Sequence, residues 1–183
     1  MCPSTSGFKS WRAMAYSPGT SAMYIPITLN CELATFGPTE RQLGGGGTGP
    51  VRRVNYHHPE SDGNLGEVLA LDIPSGEVKW RYRTRAPFNT AALTTAGGLV
   101  FIGDWNRTMS ALDAEDGELL WQVRLATSNQ GFPISYSVDG KQYIAMPVGT
   151  GGASWSGSLP RELTPELSRP RNGSSINVFA LPE

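Results

Sequence analysis

No apolar run in this sequence approaches the roughly 18 residues that a membrane-spanning helix needs. Charge is scarce as well: Asp, Glu, Lys and Arg make up 17% of 183 residues, and the net charge is −1. No basic stripe marks a nucleic-acid surface, and no polybasic cluster marks an anionic membrane. Helical windows rich in Ala, Leu, Glu and Lys are missing too. The chain opens on Met1-Cys2 with neither a positive n-region nor an apolar h-region. It therefore shows no signal peptide, and Cys2 is not read as a lipoprotein acceptor. The chain reads either as cytoplasmic or as beginning inside a longer exported one. His57-His58 has no carboxylate or thiol at metal spacing, and adjacent histidines on an extended chain point apart, so a surface loop is expected there. Gly44 to Gly47 is not followed by Lys and Ser or Thr, which excludes a phosphate loop. No Ser-His-Asp or Cys-His order suggests nucleophilic catalysis.

What the sequence does have is turn residues. Its 22 glycines and 14 prolines form about a fifth of the chain. That balance suits an all-β protein with many tight turns. A repeat then fixes the class. Residues 70–80 and 111–121 align Ala70 with Ala111, Asp72 with Asp113, Gly76 with Gly117, Glu77 with Glu118 and Trp80 with Trp121, each 41 residues apart. A period of about 40–45 residues with one Trp per copy marks a four-stranded β-propeller blade. Asp72 and Asp113 can accept backbone N–H groups across the turn. Gly76 and Gly117 supply the positive φ that the hairpin needs. The next strand carries Trp80 or Trp121 out to pack between blades. These residues are structural, not catalytic.

Strand candidates fill in around the repeat. They cover 14–16, 23–27, 91–95, 99–102, 108–112, 121–124, 132–136, 143–148 and 175–181, with turns at Ser17 to Thr20, Ala96 to Gly98, Asp104 to Arg107 and Asp139-Gly140. Asp104 and Arg107 are expected to pair across their turn, worth under about 1 kcal/mol. The organisation is one partial propeller over 1–183: a blade segment at 1–32, a loop or insertion between blades at 33–63, two repeats at 64–148, an irregular glycine-rich region at 149–173 and a final strand at 174–183. This amounts to about three four-stranded antiparallel blades. Three blades do not close a ring, since propellers use about four to eight. The chain is therefore a fragment, or one part of an oligomer that completes the circle.

Cys2 and Cys31 stand 29 positions apart. They read either as two buried thiols or as a disulfide formed in an oxidising compartment.

Several segments, in this order and spacing, resemble one family: Cys2-Pro3-Ser4, Ser10-Trp11, Ala15 to Pro18, Cys31, Thr94 to Phe101, Asp139 to Tyr143, and Gly149 to Gly152. They resemble the last third of the periplasmic pyrroloquinoline quinone (PQQ)-dependent methanol and ethanol dehydrogenases. The resemblance spans nearly the whole chain and is weakest at 33–63 and 153–173. It implies an eight-bladed propeller with PQQ on its axis and a Ca²⁺ or lanthanide ion beside the quinone. An Asp base takes the alcohol proton while hydride passes to the quinone, and electrons leave to a cytochrome c or a quinone. It also implies a Cys2–Cys31 disulfide and a periplasmic parent.

The family's catalytic Asp, metal ligands, vicinal disulfide and stacking Trp come from earlier blades and have no counterpart here. No catalytic residue and no metal ligand is therefore assigned to this chain. What the resemblance carries over is a cofactor wall at Ser10 and Trp11, and a glycine loop at Gly151-Gly152 with Ala153 or Trp155 covering the ligand. Ser10 departs from the family's Asn at that place, and its hydroxyl reaches less far. The implied partners are a small alcohol and the remaining blades or another copy of the chain. The final Ala180-Leu181-Pro182-Glu183 has no Cys-x-x-Cys-His, so no haem domain is expected to follow. The isolated chain is expected to be inactive. A second reading is a propeller that only binds proteins, as in outer-membrane assembly scaffolds; the Cys pair and Ser10-Trp11 argue against it. A third is a truncated reading frame without a function of its own.

Overall fold

A computed structural model of the chain describes residues 1–37, 43, 52–149, 159–167 and 172–180. Strands β1 (Ala15–Ser17) and β2 (Ala22–Thr28) lead into a ribbon of β3 (Asn30–Thr35) and β4 (Arg52–His57). Strands β5 (Gly66–Asp72) and β6 (Val78–Thr84) then return to the first sheet, whose order is β1-β2-β5-β6. The second blade runs consecutively through β7 (Leu93–Thr94), β8 (Leu99–Gly103), β9 (Thr108–Asp113) and β10 (Leu119–Arg124). A third sheet holds β11 (Ile134–Val138), β12 (Lys141–Val148) and β13 (Ser175–Ala180). A short helix, α1 (Leu159–Leu163), lies between β12 and β13. All strand pairs within the three blades are antiparallel. The all-β propeller architecture is as the repeat predicts, with two four-stranded blades and one three-stranded sheet among the described residues.

Alternation along the strands makes the blades stack. In β2 the buried positions Ala22 and Tyr24 alternate with half-buried Met23 and Ile25. In β8, Val100 and Ile102 join the core shared with the first blade, while Phe101 joins the core shared with the third sheet. One strand thus serves two interfaces by its period of two.

The repeat motif does what its chemistry dictates. The Asp72 carboxylate accepts the Ser75 N–H at 3.0 Å, and Asp113 accepts the Glu115 N–H at 2.7 Å. Gly76 and Gly117 take φ +73° and +78°. Trp80 crosses from β6 to the second blade and donates its indole N–H to the Ala114 carbonyl at 3.1 Å. The Tyr24 hydroxyl donates to the same carbonyl at 2.8 Å. A Cβ at Gly117 would stand 2.6 Å from the Trp80 ring, so Gly117 is also the seat on which Trp80 rests. One repeat later, Trp121 meets Phe179 of the third sheet edge-on at 5.3 Å but stays 40% exposed.

Three expectations change. The insertion at 33–63 does not separate blades. It lies inside the first blade, between its second and third strands, and its described part is largely a ribbon registered from Asn30↔His57 to Thr35↔Arg52. The reason is that β2 and β5 pair with each other across it, Ala22 against Asp72. Next, Asp104 does not pair with Arg107. The backbone N–H groups of Thr108 and Asn106 reach the Asp104 carboxylate instead, and Arg107 takes φ +75° in the turn. Finally, His57 is half-buried within β4 rather than on a loop, while His58 packs edge-on against Phe8 at 5.4 Å.

Candidate functional site

Antiparallel pairing sends alternate connections to opposite ends of the blades. At one end every connection is short: 18–21, 73–77, 95–98, 114–118 and 139–140. At the other end lie 1–14, 85–92, 104–107 and 125–133, together with the connections that leave β2 after Thr28 and β12 after Val148. When the insertions of repeated units collect on one face, that face is often the binding face.

Three of these segments lead into the first strand of each sheet, β1, β7 and β11, and run side by side. The Ala92 N–H donates to the Ala13 carbonyl at 3.1 Å. The Ala91 N–H donates to the Gly131 carbonyl at 3.0 Å, and Thr90 bridges Gly131 in parallel. Gly131 sits at φ +98°. This stitching brings Trp11 against Phe132, edge to face, with ring centroids 5.9 Å apart. Both rings stay about half-exposed. Trp11 was expected from the sequence; Phe132 was not, because nothing local joins it to a residue 121 positions earlier.

The leader that carries Trp11 is held by the Cys2–Cys31 disulfide, with Cα atoms 4.5 Å apart. The Ser4 N–H donates to the Asn30 carbonyl at 3.2 Å, and the Thr5 N–H to the buried Glu32 carboxylate at 2.7 Å. Further along, the Lys9 ammonium donates to the Ser10 carbonyl at 2.6 Å and to the Arg12 carbonyl. Ser10 is half-buried and stands between Lys9 and Arg12 in the sequence. Arg12 is only 1% exposed and donates through Nη2 to the Thr28 hydroxyl at 2.5 Å. Gly152, Ala153 and Trp155, the expected glycine loop and its cover, lie outside the described residues.

At the same end a clasp joins the two irregular regions. Glu162 of α1 accepts the Asn55 backbone N–H at 2.9 Å and its side-chain amide at 2.6 Å. Arg85 donates to the Leu163 carbonyl at 3.1 Å, to the Glu166 carboxylate at 2.6 Å and to the Gly63 carbonyl. His57 Nε2 lies 3.0 Å from the Leu163 carbonyl. Among the described residues no three His, Cys, Asp or Glu side chains converge as a metal site.

Asp104, also at this end, is 6% exposed, and burial pushes its carboxyl up to about 7 against its two backbone donors. A carboxyl raised on folding binds its proton more tightly folded than unfolded. Its contribution is fully present below about pH 4 and is lost as pH rises through 7. Asp104→Asn keeps an acceptor for the Thr108 N–H and abolishes the titration. The variant is expected to be more stable than wild type at pH 8 by at least about 1 kcal/mol, and the two should converge near pH 4. Urea midpoints across that range check this, and parallel curves would rule it out.

Comparison with known proteins gives a consistent picture. Residues 83–144 match a protein family described as the glucose/ethanol/alcohol dehydrogenase β-propeller domain. Among curated relatives, a quinoprotein ethanol dehydrogenase of Pseudomonas aeruginosa is 33% identical over 96% of this chain and 27% of its own length. A 1-butanol dehydrogenase (cytochrome c) of Thauera butanivorans is 35% identical over 98% of this chain and 26% of its own. Among solved structures, a europium-containing methanol dehydrogenase superposes with a TM-score of 0.82 at 26% identity, over 99% of this chain and 34% of that one. The chain spans about a quarter of the length of the curated relatives it matches.

Proposed function

We propose that this chain, a PQQ-type β-propeller region like those of the quinoprotein alcohol dehydrogenases, supplies one wall of the quinone site in a periplasmic alcohol dehydrogenase. The observation that carries the reading is the stitched end of the blades. There two half-exposed aromatic rings meet, Trp11 and Phe132, and the leader that carries Trp11 also carries two cations, Lys9 and Arg12. PQQ is a flat tricyclic quinone with three carboxylates. Aromatic faces suit its rings, and an unpaired guanidinium suits its carboxylates.

The proposed roles of this chain's residues rest on their chemistry and on the resemblance. Trp11 would offer the quinone an aromatic wall and exclude water there. Ser10 offers a hydroxyl to a quinone or carboxylate oxygen, at shorter reach than an amide would. The resemblance adds Gly152, which lets backbone approach a flat ligand closely, with Ala153 and Trp155 as further cofactor-binding residues. When bound, the quinone supplies the hydride acceptor for oxidation of a primary or related alcohol, and electrons pass on to a cytochrome c or a quinone. A Ca²⁺ or lanthanide ion beside PQQ would be held by other blades. The Cys2–Cys31 disulfide is consistent with an oxidising compartment. No helix among the described residues is long and apolar enough to cross a membrane.

Two measurements test this. PQQ added to the full chain is expected to quench tryptophan fluorescence with micromolar affinity, and Trp11→Ala should weaken that binding at least about tenfold. A dye-linked alcohol assay with PQQ and Ca²⁺ is expected to show no turnover by this chain alone. Absence of quenching would favour a propeller that only binds proteins; turnover would overturn the assignment of catalysis to other blades.

A further inference from the structure

Arg12 presents an imbalance of charge. Arg12 is 1% exposed, yet among the described residues its one side-chain partner is the neutral Thr28 hydroxyl and its Nε–H meets no acceptor. Among the described residues no carboxylate comes within ion-pair distance of Arg12 or of Lys9. Lys9 is held down first by burial and then by the positive charge of Arg12, and burial alone pulls Arg12 down to about 10. Two residues beyond Thr28, the Asn30 amide is 1% exposed with neither its oxygen nor its nitrogen paired. Burying a lone cation is among the costliest arrangements a fold can hold. A polar group left unsatisfied at a binding face calls for a ligand that satisfies it.

We propose that Lys9 and Arg12 form a binding site for a carboxylate. The planar guanidinium edge carrying Nε–H matches the two oxygens of a carboxylate group. Lys9 is partly exposed and opens the pair to solvent. Two of its three ammonium donors are spent on the Ser10 and Arg12 carbonyls, which leaves one for the ligand. The carboxylate could belong to the quinone cofactor or to a free dicarboxylic acid. The site adjoins the quinone wall proposed above but does not need the quinone in order to fill.

The experiment is thermal unfolding of the full chain in sodium malonate and in sodium chloride at equal ionic strength. At 20 mM, malonate is expected to raise the midpoint of the wild type by roughly 4 °C over chloride. Arg12→Met should start higher than the wild type without ligand, because an unpaired buried charge is removed, and should not respond to malonate. Lys9→Gln should lose about half of the response, and it decides the matter alone if Arg12→Met fails to fold. Identical midpoints in the two salts, or an equal malonate shift in the Arg12→Met variant, would overturn the proposal. PQQ titrations with and without malonate separate the sources: competition assigns the carboxylate to the cofactor, and simultaneous binding assigns it to a free acid. A malonate response without any PQQ binding leaves this site standing and removes the quinone reading. PQQ quenching with no malonate response does the reverse.

Discussion

Trp80→Ala is expected to destabilise the chain by about 3–5 kcal/mol, the largest loss from any one side chain of the repeat. The ring is 8% exposed and lies in the core between the first two blades with Tyr24, Val68, Ala70, Val100, Ile102 and Leu112. Its removal empties the interface and leaves the Ala114 carbonyl with one donor in place of two. The seat cannot refill by sliding, because Gly117 is held at φ +78° with the turn carbonyl of Asp113 bonded to its N–H. Trp121→Ala is the internal comparison. That ring occupies the matching position one repeat later but is 40% exposed. The loss there should be nearer about 1–2 kcal/mol on transfer grounds. Urea unfolding of the two variants measures the difference. Equal losses would mean that the two blade interfaces do not differ in packing as the burial indicates.

Loss of the Cys2–Cys31 bridge is expected to cost about 3.5 kcal/mol in the chain-entropy picture for a loop of this size. The bridge ties the first turn of the chain to β3. Between the two cysteines lie Lys9, Ser10, Trp11 and Arg12 together with both strands of the first hairpin. A Cys2→Ser, Cys31→Ser double variant should therefore lose stability and also weaken ligand binding at the leader. Denaturation midpoints with and without reductant provide the check. A wild type insensitive to reductant, with midpoints equal to those of the double variant, would contradict it. Together with Trp80 this separates two sources of order. One is burial between blades, which the repeat encodes. The other is a covalent limit on the unfolded chain, which lies outside the repeat.

The blades were legible because their signals are local. Asp72, Gly76 and Trp80 lie within one hairpin, and the same spacing recurs at Asp113, Gly117 and Trp121. The bend at each Asp and the positive φ at each Gly are dictated within five residues. The candidate site was legible in part. Trp11 and the cysteine pair stood out, but Arg12 did not, since a single arginine in sequence carries no sign of burial. Phe132 joins Trp11 only once three leaders run in parallel. The clasp at Arg85 was invisible for the same reason, because its partners Leu163, at the end of α1, and Glu166, just after it, lie 78 and 81 residues away. Asp104 and Arg107 misled because a spacing of three reads as a side-chain pair, whereas backbone N–H groups were closer at hand.

The clasp also bears on the order in which the chain assembles. Asn55 and Glu162 are separated by 107 residues. Bringing such distant points together costs loop-closure entropy that no nearby contact offsets. The hairpins of the first two blades draw on contacts a few residues apart and can form before it. The clasped end, where β4 meets α1, is therefore expected to acquire its shape after those hairpins. A pulse-labelling hydrogen-exchange experiment should find amides of β5, β6, β8 and β9 protected while those of β4 and α1 still exchange.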